Sequence, residues 1–235
     1  MTEIFSQILA DRGLDESFLN PRYEDLFDPF LMLGMNKAVA RIEQARDESE
    51  HILIYGDYDA DGVTSSTVLY TALKDFDCEN VEVILPNRFI DGYGMKDSAI
   101  EEIVARGVNL VITVDNGSGS GDTIAKLKEH GIDTIVTDHH EIPHKPEMAV
   151  AVINPHLSGE KYGLRMAGVG VAFTLARALN MRKNGGSCDG QEKWLLDLVT
   201  LGTICDSMVL RDENRIFTYY DTPSYSDQIQ EGYET

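Results

Sequence analysis

Short apolar runs alternate with helical stretches along the chain after residue 50. The apolar runs predict strands over residues 51–55, 81–85, 109–114, 133–137 and 149–153. Helices are predicted over residues 63–74, 97–106, 120–130, 170–182 and 192–204. Alternation of this kind predicts an α/β fold with a mainly parallel five-stranded sheet and helices on both faces.

The first 50 residues have a different pattern and predict a helical N-terminal extension. Ile4, Ile8 and Leu9 would share one face of a helix, and a second helical stretch follows the stop at Asp28-Pro29. We therefore expect residues 1–50 to form a helical lead-in that packs on the core.

The rest of the chain divides into one domain and a tail. We expect residues 51–217 to form a single domain. The segment after Phe217 has no regular hydrophobic period, so we expect residues 218–235 to form a disordered tail.

Composition limits the class of protein. The chain has 235 residues, of which 43% are hydrophobic, so it can bury a substantial core. No apolar stretch approaches the roughly 20 residues of a membrane helix, and the N-terminus lacks the pattern of a secretory signal. We expect a cytoplasmic protein with no membrane partner. The three cysteines are widely separated, which favours neither zinc nor redox chemistry.

The charge balance bears on possible ligands. A formal net charge of −20 argues against binding nucleic acid mainly by neutralising many phosphates with lysine and arginine. A phosphate would have to be bound through metal ions or by a local cation. Arg88 is one of the few cations near a predicted strand end and could clamp a phosphate, although it could equally be an ordinary surface arginine.

Metal-capable side chains follow several of the apolar segments. They are the run Asp57, Asp59 and Asp61, then Asp115, then Asp138-His139-His140, and finally Asp206. Because ligands gather at the carboxyl ends of parallel strands, we expect these side chains to converge. A single aspartate after a strand is most often a helix cap, but the clusters together favour a metal site.

Carboxylates and histidines are ligands for hard divalent cations such as Mg²⁺ or Mn²⁺. Two such ions that share a carboxylate would activate water and neutralise phosphoryl charge, which is the chemistry of phosphoester hydrolysis. We expect Asp115 to bridge the ions because it stands alone at a strand end in mid-sheet. The remaining ligands would be Asp59, Asp61, His139 and Asp206.

The sequence also suggests roles for the second histidine and for a glycine-containing segment. The neighbour of His139, His140, would point the other way on an extended chain and reach the scissile phosphate or the leaving oxygen, as an acid or hydrogen-bond donor. The segment Gly168-Val169-Gly170 opens a predicted helix. Its glycines could offer backbone N–H groups to an anion or allow close packing of the helix on the sheet.

The clusters resemble the motifs of the DHH phosphoesterase superfamily. The matching segments are Gly56-Asp-Tyr-Asp-Ala-Asp-Gly62, Val114-Asp-Asn-Gly117 and Asp138-His-His140. The first segment is most similar to the branch of RecJ single-strand-specific 5′ exonucleases, and the similarity extends over roughly residues 10–217. The resemblance implies a hydrolase that uses two manganese or magnesium ions to remove nucleotides from the 5′ end of single-stranded DNA in recombination and repair.

The resemblance also implies roles for individual residues. It implies metal binding by Asp59, Asp61, Asp115, His139 and Asp206. It places His140 close to the substrate phosphate, and it places Asp57 within the catalytic motif.

Two features depart from this branch. Tyr55 stands where many relatives have a histidine that helps to hold one metal, so we expect that ion to bind more weakly. Full-length relatives continue into a second, substrate-binding domain and a nucleic-acid-binding barrel. We therefore expect the chain to act as a catalytic domain alone, for which a partner protein could supply the missing substrate-binding groups.

Two other functions stay open. One is a small-substrate phosphodiesterase that acts on oligoribonucleotides or cyclic dinucleotides. The other is a truncated, non-catalytic binding module.

Overall fold

A five-stranded sheet forms the centre of the structure, a computed structural model that describes residues 3–14, 16–89, 94–141, 145–157 and 165–220. The strands are β1 (Ile52–Tyr55), β2 (Val81–Ile84), β3 (Leu110–Val114), β4 (Asp133–Thr137) and β5 (Ala151–Ile153). All neighbouring strands pair in parallel, in the order β2-β1-β3-β4-β5. The predicted fold class is therefore confirmed.

Eight α-helices surround the sheet or precede it in the described part of the chain. They are α1 (Glu3–Asp11), α2 (Glu16–Leu19), α3 (Met35–Asp47), α4 (Ala60–Asp75), α5 (Ile100–Ala105), α6 (Gly121–Glu129), α7 (Gly168–Lys183) and α8 (Leu196–Cys205). Residues 212–220 form a further helical segment. Helix α4 begins at Ala60, earlier than predicted, because the Asp59 side chain caps it by accepting a hydrogen bond from the Gly62 N–H at 2.9 Å.

The centre of the sheet is buried on both faces. Ile52 and Ile54 of β1 pack into a cluster with α3, α4, α7 and α8, whereas Leu53 and Tyr55 pack into a second cluster with α5 and α6. Successive side chains of a strand point to opposite faces, so the central strands β1 and β3 must be largely apolar throughout. The edge strand β2 is only partly buried and includes the exposed Glu82.

The strand order determines where polar groups can collect. The chain leaves β1 toward β2 on one side and later returns to place β3 on the other side of β1. A crevice opens at the carboxyl ends of the strands where the order reverses in this way. The predicted acidic clusters follow β1, β3 and β4, which are adjacent strands.

The N-terminal extension packs on the core through α3. Arg41 of α3 is buried and forms ion pairs with Asp133 at 2.6 Å and Glu50 at 2.7 Å. In contrast, the apolar side chains of α1 are exposed, with Ile4 75% and Ile8 44% accessible. Helix α3 thus packs on the core, whereas Ile4 and Ile8 of α1 are exposed and Leu9 is half-buried. Helical periodicity shows which residues share a face but not whether a second element covers it.

The last described helix extends past the predicted end of the domain at Phe217. Thr218 is buried, and the Tyr220 hydroxyl accepts a hydrogen bond from the Tyr23 N–H at 3.0 Å. Residues 218–220 therefore belong to the packed structure, whereas the rest of the predicted tail lies outside the described residues. Within the described ranges, no helix is long and apolar enough to cross a membrane.

We expect Gly34→Ala to destabilise the fold by roughly 2–4 kcal/mol. Gly34 precedes α3 with a φ of 90°, and a Cβ there would lie 2.5 Å from the Val152 carbonyl oxygen. The control is Gly107→Ala, where φ is also positive, at 68°, but no atom lies within 4 Å of the new Cβ. The control should lose only about 1 kcal/mol. Urea denaturation measures both, and equal losses would contradict the close packing of Gly34 against β5.

Candidate metal centre

The first acidic run occupies a tight turn between β1 and α4. The strand ends at Tyr55, and the Asp57 carboxylate accepts a hydrogen bond from the Tyr58 N–H at 2.7 Å. Gly62 lies against this turn, since a Cβ there would be 2.5 Å from the Asp57 carbonyl oxygen. The turn keeps the acids at the mouth of the crevice instead of continuing the strand away from it.

Asp61 lies at the N-terminus of α7. Its carboxylate accepts hydrogen bonds from the Gly168 N–H at 2.6 Å and the Val169 N–H at 2.8 Å. The positive end of the helix dipole thus stabilises this buried charge. A Cβ on Gly168 would lie 2.6 Å from the Asp115 side chain, so Gly168 also permits close packing. The segment therefore does both things that the sequence suggested: it binds an anion and it allows close packing. The anion is the carboxylate of Asp61, a residue of the same chain.

Asp115 follows β3 in the left-handed backbone region, with a φ of 59°. Aspartate tolerates this region better than most residues, and such local strain concentrates at functional sites. The neighbouring Asn116 holds the turn by donating hydrogen bonds to the Val114 carbonyl at 2.9 Å and the Tyr55 carbonyl at 3.2 Å. The Asp115 side chain is consequently buried in the crevice between β1 and β3.

The His139 ring is the meeting point of three separate acidic segments. Its Nε2 atom lies 3.0 Å from Asp115 Oδ1, 3.7 Å from Asp61 Oδ2 and 3.8 Å from Asp206 Oδ2. Asp206 reaches this point because it directly follows α8. Glycine at position 202 of α8 allows the approach, since a Cβ there would lie 3.0 Å from Asp61 Oδ1.

Potential ligand atoms converge in three groups, each with its atoms within 4.8 Å of one another. The groups are Asp115, His139 and His140; Asp61, His139 and Asp206; and Asp57, Asp59 and Asp115. The structure thus brings together every predicted metal ligand, and it adds Asp57 and His140 to the same centre. Carboxylate oxygens with one or two imidazole nitrogens form a donor set that suits Mn²⁺ or Mg²⁺.

The raised pKa values of these acids are also consistent with a site that binds cations. Burial raises the pKa of Asp115 well above its ordinary value, and the nearby charges of Asp61 and Asp59 raise it further. Burial likewise raises the pKa of Asp61 and of Asp57. Deprotonation of such a cluster is unfavourable without a compensating positive charge, and a bound divalent cation would reverse the direction of these shifts.

Asp138 orients the second histidine. Its Oδ1 lies 2.8 Å from His140 Nδ1, and its two oxygens also accept hydrogen bonds from the His139 N–H at 2.7 Å and the Ser118 N–H at 2.9 Å. Burial alone would raise the pKa of Asp138, but the hydrogen bonds from His140 and Ser118 lower it to about 2. The resulting carboxylate can only accept a hydrogen bond, so His140 Nδ1 donates the proton.

Two further residues hold this loop, and the sequence pattern assigned no role to either of them. The Asn154 side chain donates hydrogen bonds to the His140 carbonyl at 3.0 Å and to Ser118 Oγ at 3.1 Å. Asn154 directly follows β5, so the rule that polar residues at strand ends build the site could have identified it. Ser118, which follows Gly117 in a loop, has no comparable signal.

Arg88 lies outside the three ligand groups. It follows β2 in the chain, and its side chain is exposed. Its guanidinium carbon lies 5.3 Å from the centroid of the Tyr58 ring, in a cation–π contact. Since Tyr58 stands between Asp57 and Asp59, this contact places a positive charge at the rim of the acidic centre.

The chain belongs to the DHH family. The family model described as "DHH family, N-terminal domain" matches residues 51–203, which include the first three acidic clusters. The chain is 42% identical over 223 residues to the single-stranded-DNA-specific exonuclease RecJ of Bacillus subtilis (strain 168). That match covers 92% of this chain and 27% of the relative. The chain therefore spans about a quarter of the length of this relative.

Solved structures of similar proteins have the same fold. RecJ from Thermus thermophilus in complex with Mn²⁺ aligns with a TM-score of 0.75 and 28% identity, over 90% of this chain and 30% of that one. An exonuclease RecJ bound to manganese aligns with a TM-score of 0.71 and 31% identity, over 80% of this chain and 47% of that one.

We expect Asp138→Asn to lower the pKa of His140. In the wild-type protein the hydrogen bond to Asp138 raises this pKa above its ordinary value. Asparagine removes the negative charge, so His140 should lose its proton at a lower pH. NMR titration of the histidine rings in metal-free protein measures this change.

The matched control for this titration is Asp97→Asn, which removes a surface acid paired with Lys126. This control should leave the His140 titration unchanged. A His140 pKa that is the same in Asp138→Asn and wild type would contradict the assigned hydrogen bond.

Proposed function

We propose that the protein is a metal-dependent phosphodiesterase that hydrolyses single-stranded DNA from the 5′ end. The observation that carries this proposal is the convergence of Asp115 with two further acidic segments and His139 at the carboxyl edge of the sheet. The names of the similar proteins support the choice of substrate. DNA repair and recombination would place the protein in the cytoplasm together with that substrate.

The three ligand groups indicate how the residues would hold two divalent ions. Asp115 belongs to the group with Asp57 and Asp59 and also to the group with His139, so it is suited to bridge them. Asp61, His139 and Asp206 would complete the second position. When bound, manganese or magnesium ions would activate water for attack and neutralise charge on the phosphate.

His140 would act on the leaving group. Its ring is partly exposed, with 44% of the side chain accessible, so it can meet a substrate at the open side of the centre. Its raised pKa keeps more of the ring protonated near neutral pH, as a proton donor requires. Asp138 would therefore be a positioning residue that acts through His140.

Arg88 would hold a phosphate of the strand. It is an exposed guanidinium at the rim of a strongly acidic centre, and its planar donors match phosphate oxygens. The net charge of −20 opposes tight binding of a polyanion by this domain. We therefore infer that a partner protein or an additional basic domain supplies much of the affinity for long strands.

We expect Asp115→Ala to lower nuclease activity by roughly 10³-fold, because it removes the shared ligand of both metal positions. Release of nucleotides from a 5′-labelled single strand in the presence of Mn²⁺ measures the activity, and a labelled dinucleotide tests for a small-substrate enzyme. Asp122→Ala, an exposed acid in the first turn of α6, is the control and should retain activity. Equal activity of wild type and Asp115→Ala would overturn the proposal.

Metal binding can be tested without turnover. Calorimetric titration of the wild-type protein with Mn²⁺ should detect two ions, and Asp206→Ala should weaken one of them because Asp206 belongs to a single ligand group. Asp115→Ala should weaken both ions. If Asp206→Ala and wild type give the same isotherm, Asp206 is not a ligand.

A further inference from the structure

We infer that Phe89 stacks on an unpaired base of the nucleic acid strand whose phosphate Arg88 holds. This inference rests on the proposed function and extends it to the recognition of bases. It concerns a contact outside the metal centre, made by a side chain that the proposed reaction does not use.

Phe89 is unusually exposed for a phenylalanine. Its relative exposure is 95%, the highest value among the large hydrophobic residues in the described ranges. Burial of an aromatic side chain removes a large apolar surface from water and is strongly favourable. An aromatic ring that is left in water beside a functional centre is available to bind an apolar, planar partner.

The register of β1 and β2 places Phe89 at the same edge of the sheet as the acidic centre. Ile84, the last residue of β2, pairs with Tyr55, the last residue of β1, and the Gly56 N–H donates to the Ile84 carbonyl at 3.0 Å. Because β1 and β2 are parallel, the segments that follow them leave the sheet at the same edge. Residues 85–89 therefore run beside the turn that carries the acids.

The contacts of the two preceding residues fix this position. The cation–π contact of Arg88 with Tyr58 attaches the segment to the acidic turn. The Asn87 side chain accepts a hydrogen bond from the Phe89 N–H at 3.0 Å, which forms a local turn at Phe89. The backbone of Phe89 is thereby held in place while its ring remains in solvent.

An unpaired nucleobase is the partner that fits these observations. Phosphate and base are parts of the same nucleotide, so consecutive arginine and phenylalanine residues can bind one of each. Stacking on an aromatic ring tolerates any base because every base has a π face. It also requires a base that can be separated from its neighbours, which a single strand offers more readily than a duplex.

We expect Phe89→Ala to raise KM for a single strand by roughly 5- to 100-fold and to leave kcat within about twofold. Phe89→Trp should retain the wild-type KM, since tryptophan also offers a ring for stacking. The control is Trp194→Ala, which removes a ring that is 81% exposed. Trp194 precedes α8, about 20 Å from Asp206 along the helix, and its replacement should change neither constant.

Substrates with single abasic sites test the stacking contact itself. For the wild type, an abasic site at one position near the 5′ end should raise KM, whereas Phe89→Ala should show no additional increase at that position. Additive effects of the two changes, or an unchanged KM for Phe89→Ala, would overturn the inference. An unchanged KM for Phe89→Ala would instead favour contact of the exposed ring with a protein partner.

Failure of this inference and failure of the proposed function give different results. Absence of nuclease activity in the wild type would overturn the proposed function, and stacking is then read from the fluorescence anisotropy of a labelled single strand. Weaker binding by Phe89→Ala than by wild type would support stacking in that assay. Equal binding by the two proteins would overturn it.

Discussion

Electrostatic repulsion among buried carboxylates is the constraint on which the rest of the structure depends. Asp61 and Asp115 are both buried at the carboxyl edge of the sheet, and their pKa values are raised by that burial. The fold compensates part of this cost with the N-terminus of α7, whose N–H groups bind Asp61. A bound cation would compensate the remaining charge, and the surrounding oxygen and nitrogen atoms lie close enough together to hold one. The repulsion among these carboxylates and their affinity for a cation thus have the same physical origin.

Close approach of the elements is the second requirement, and glycine supplies it. At Gly62, Gly168 and Gly202, an added Cβ would come within 3.0 Å of Asp57, Asp115 and Asp61 respectively. The acids therefore meet only because the helices that bring them together have no side chain at these positions. These glycines provide no ligand atom. They contribute to the metal centre by leaving room for the acids to approach one another.

Much of this arrangement could be predicted from the sequence, because strand ends and acidic residues are both local features. The five strands and the convergence of the clusters after β1, β3 and β4 follow from apolar runs and from the topology of parallel sheets. The sequence predicted that the start of α7 could bind an anion, but it could not show that this anion is Asp61, nor the role of Ser118, because both depend on contacts between distant segments. For the same reason, periodicity identified the apolar face of α1 but not its exposure.

The acidity of the chain also limits how it can bind a polyanion. Each phosphate near the centre is repelled by the net charge of −20 unless a metal ion or Arg88 compensates locally. Stacking of a base on Phe89 is insensitive to this repulsion, because it depends on dispersion and the burial of apolar surface. A strongly acidic domain can therefore select a single strand through its bases and confine phosphate binding to a few atoms. When most of the binding comes from base stacking and little from phosphate contacts, salt would weaken binding less steeply than it does for a basic nucleic-acid-binding protein.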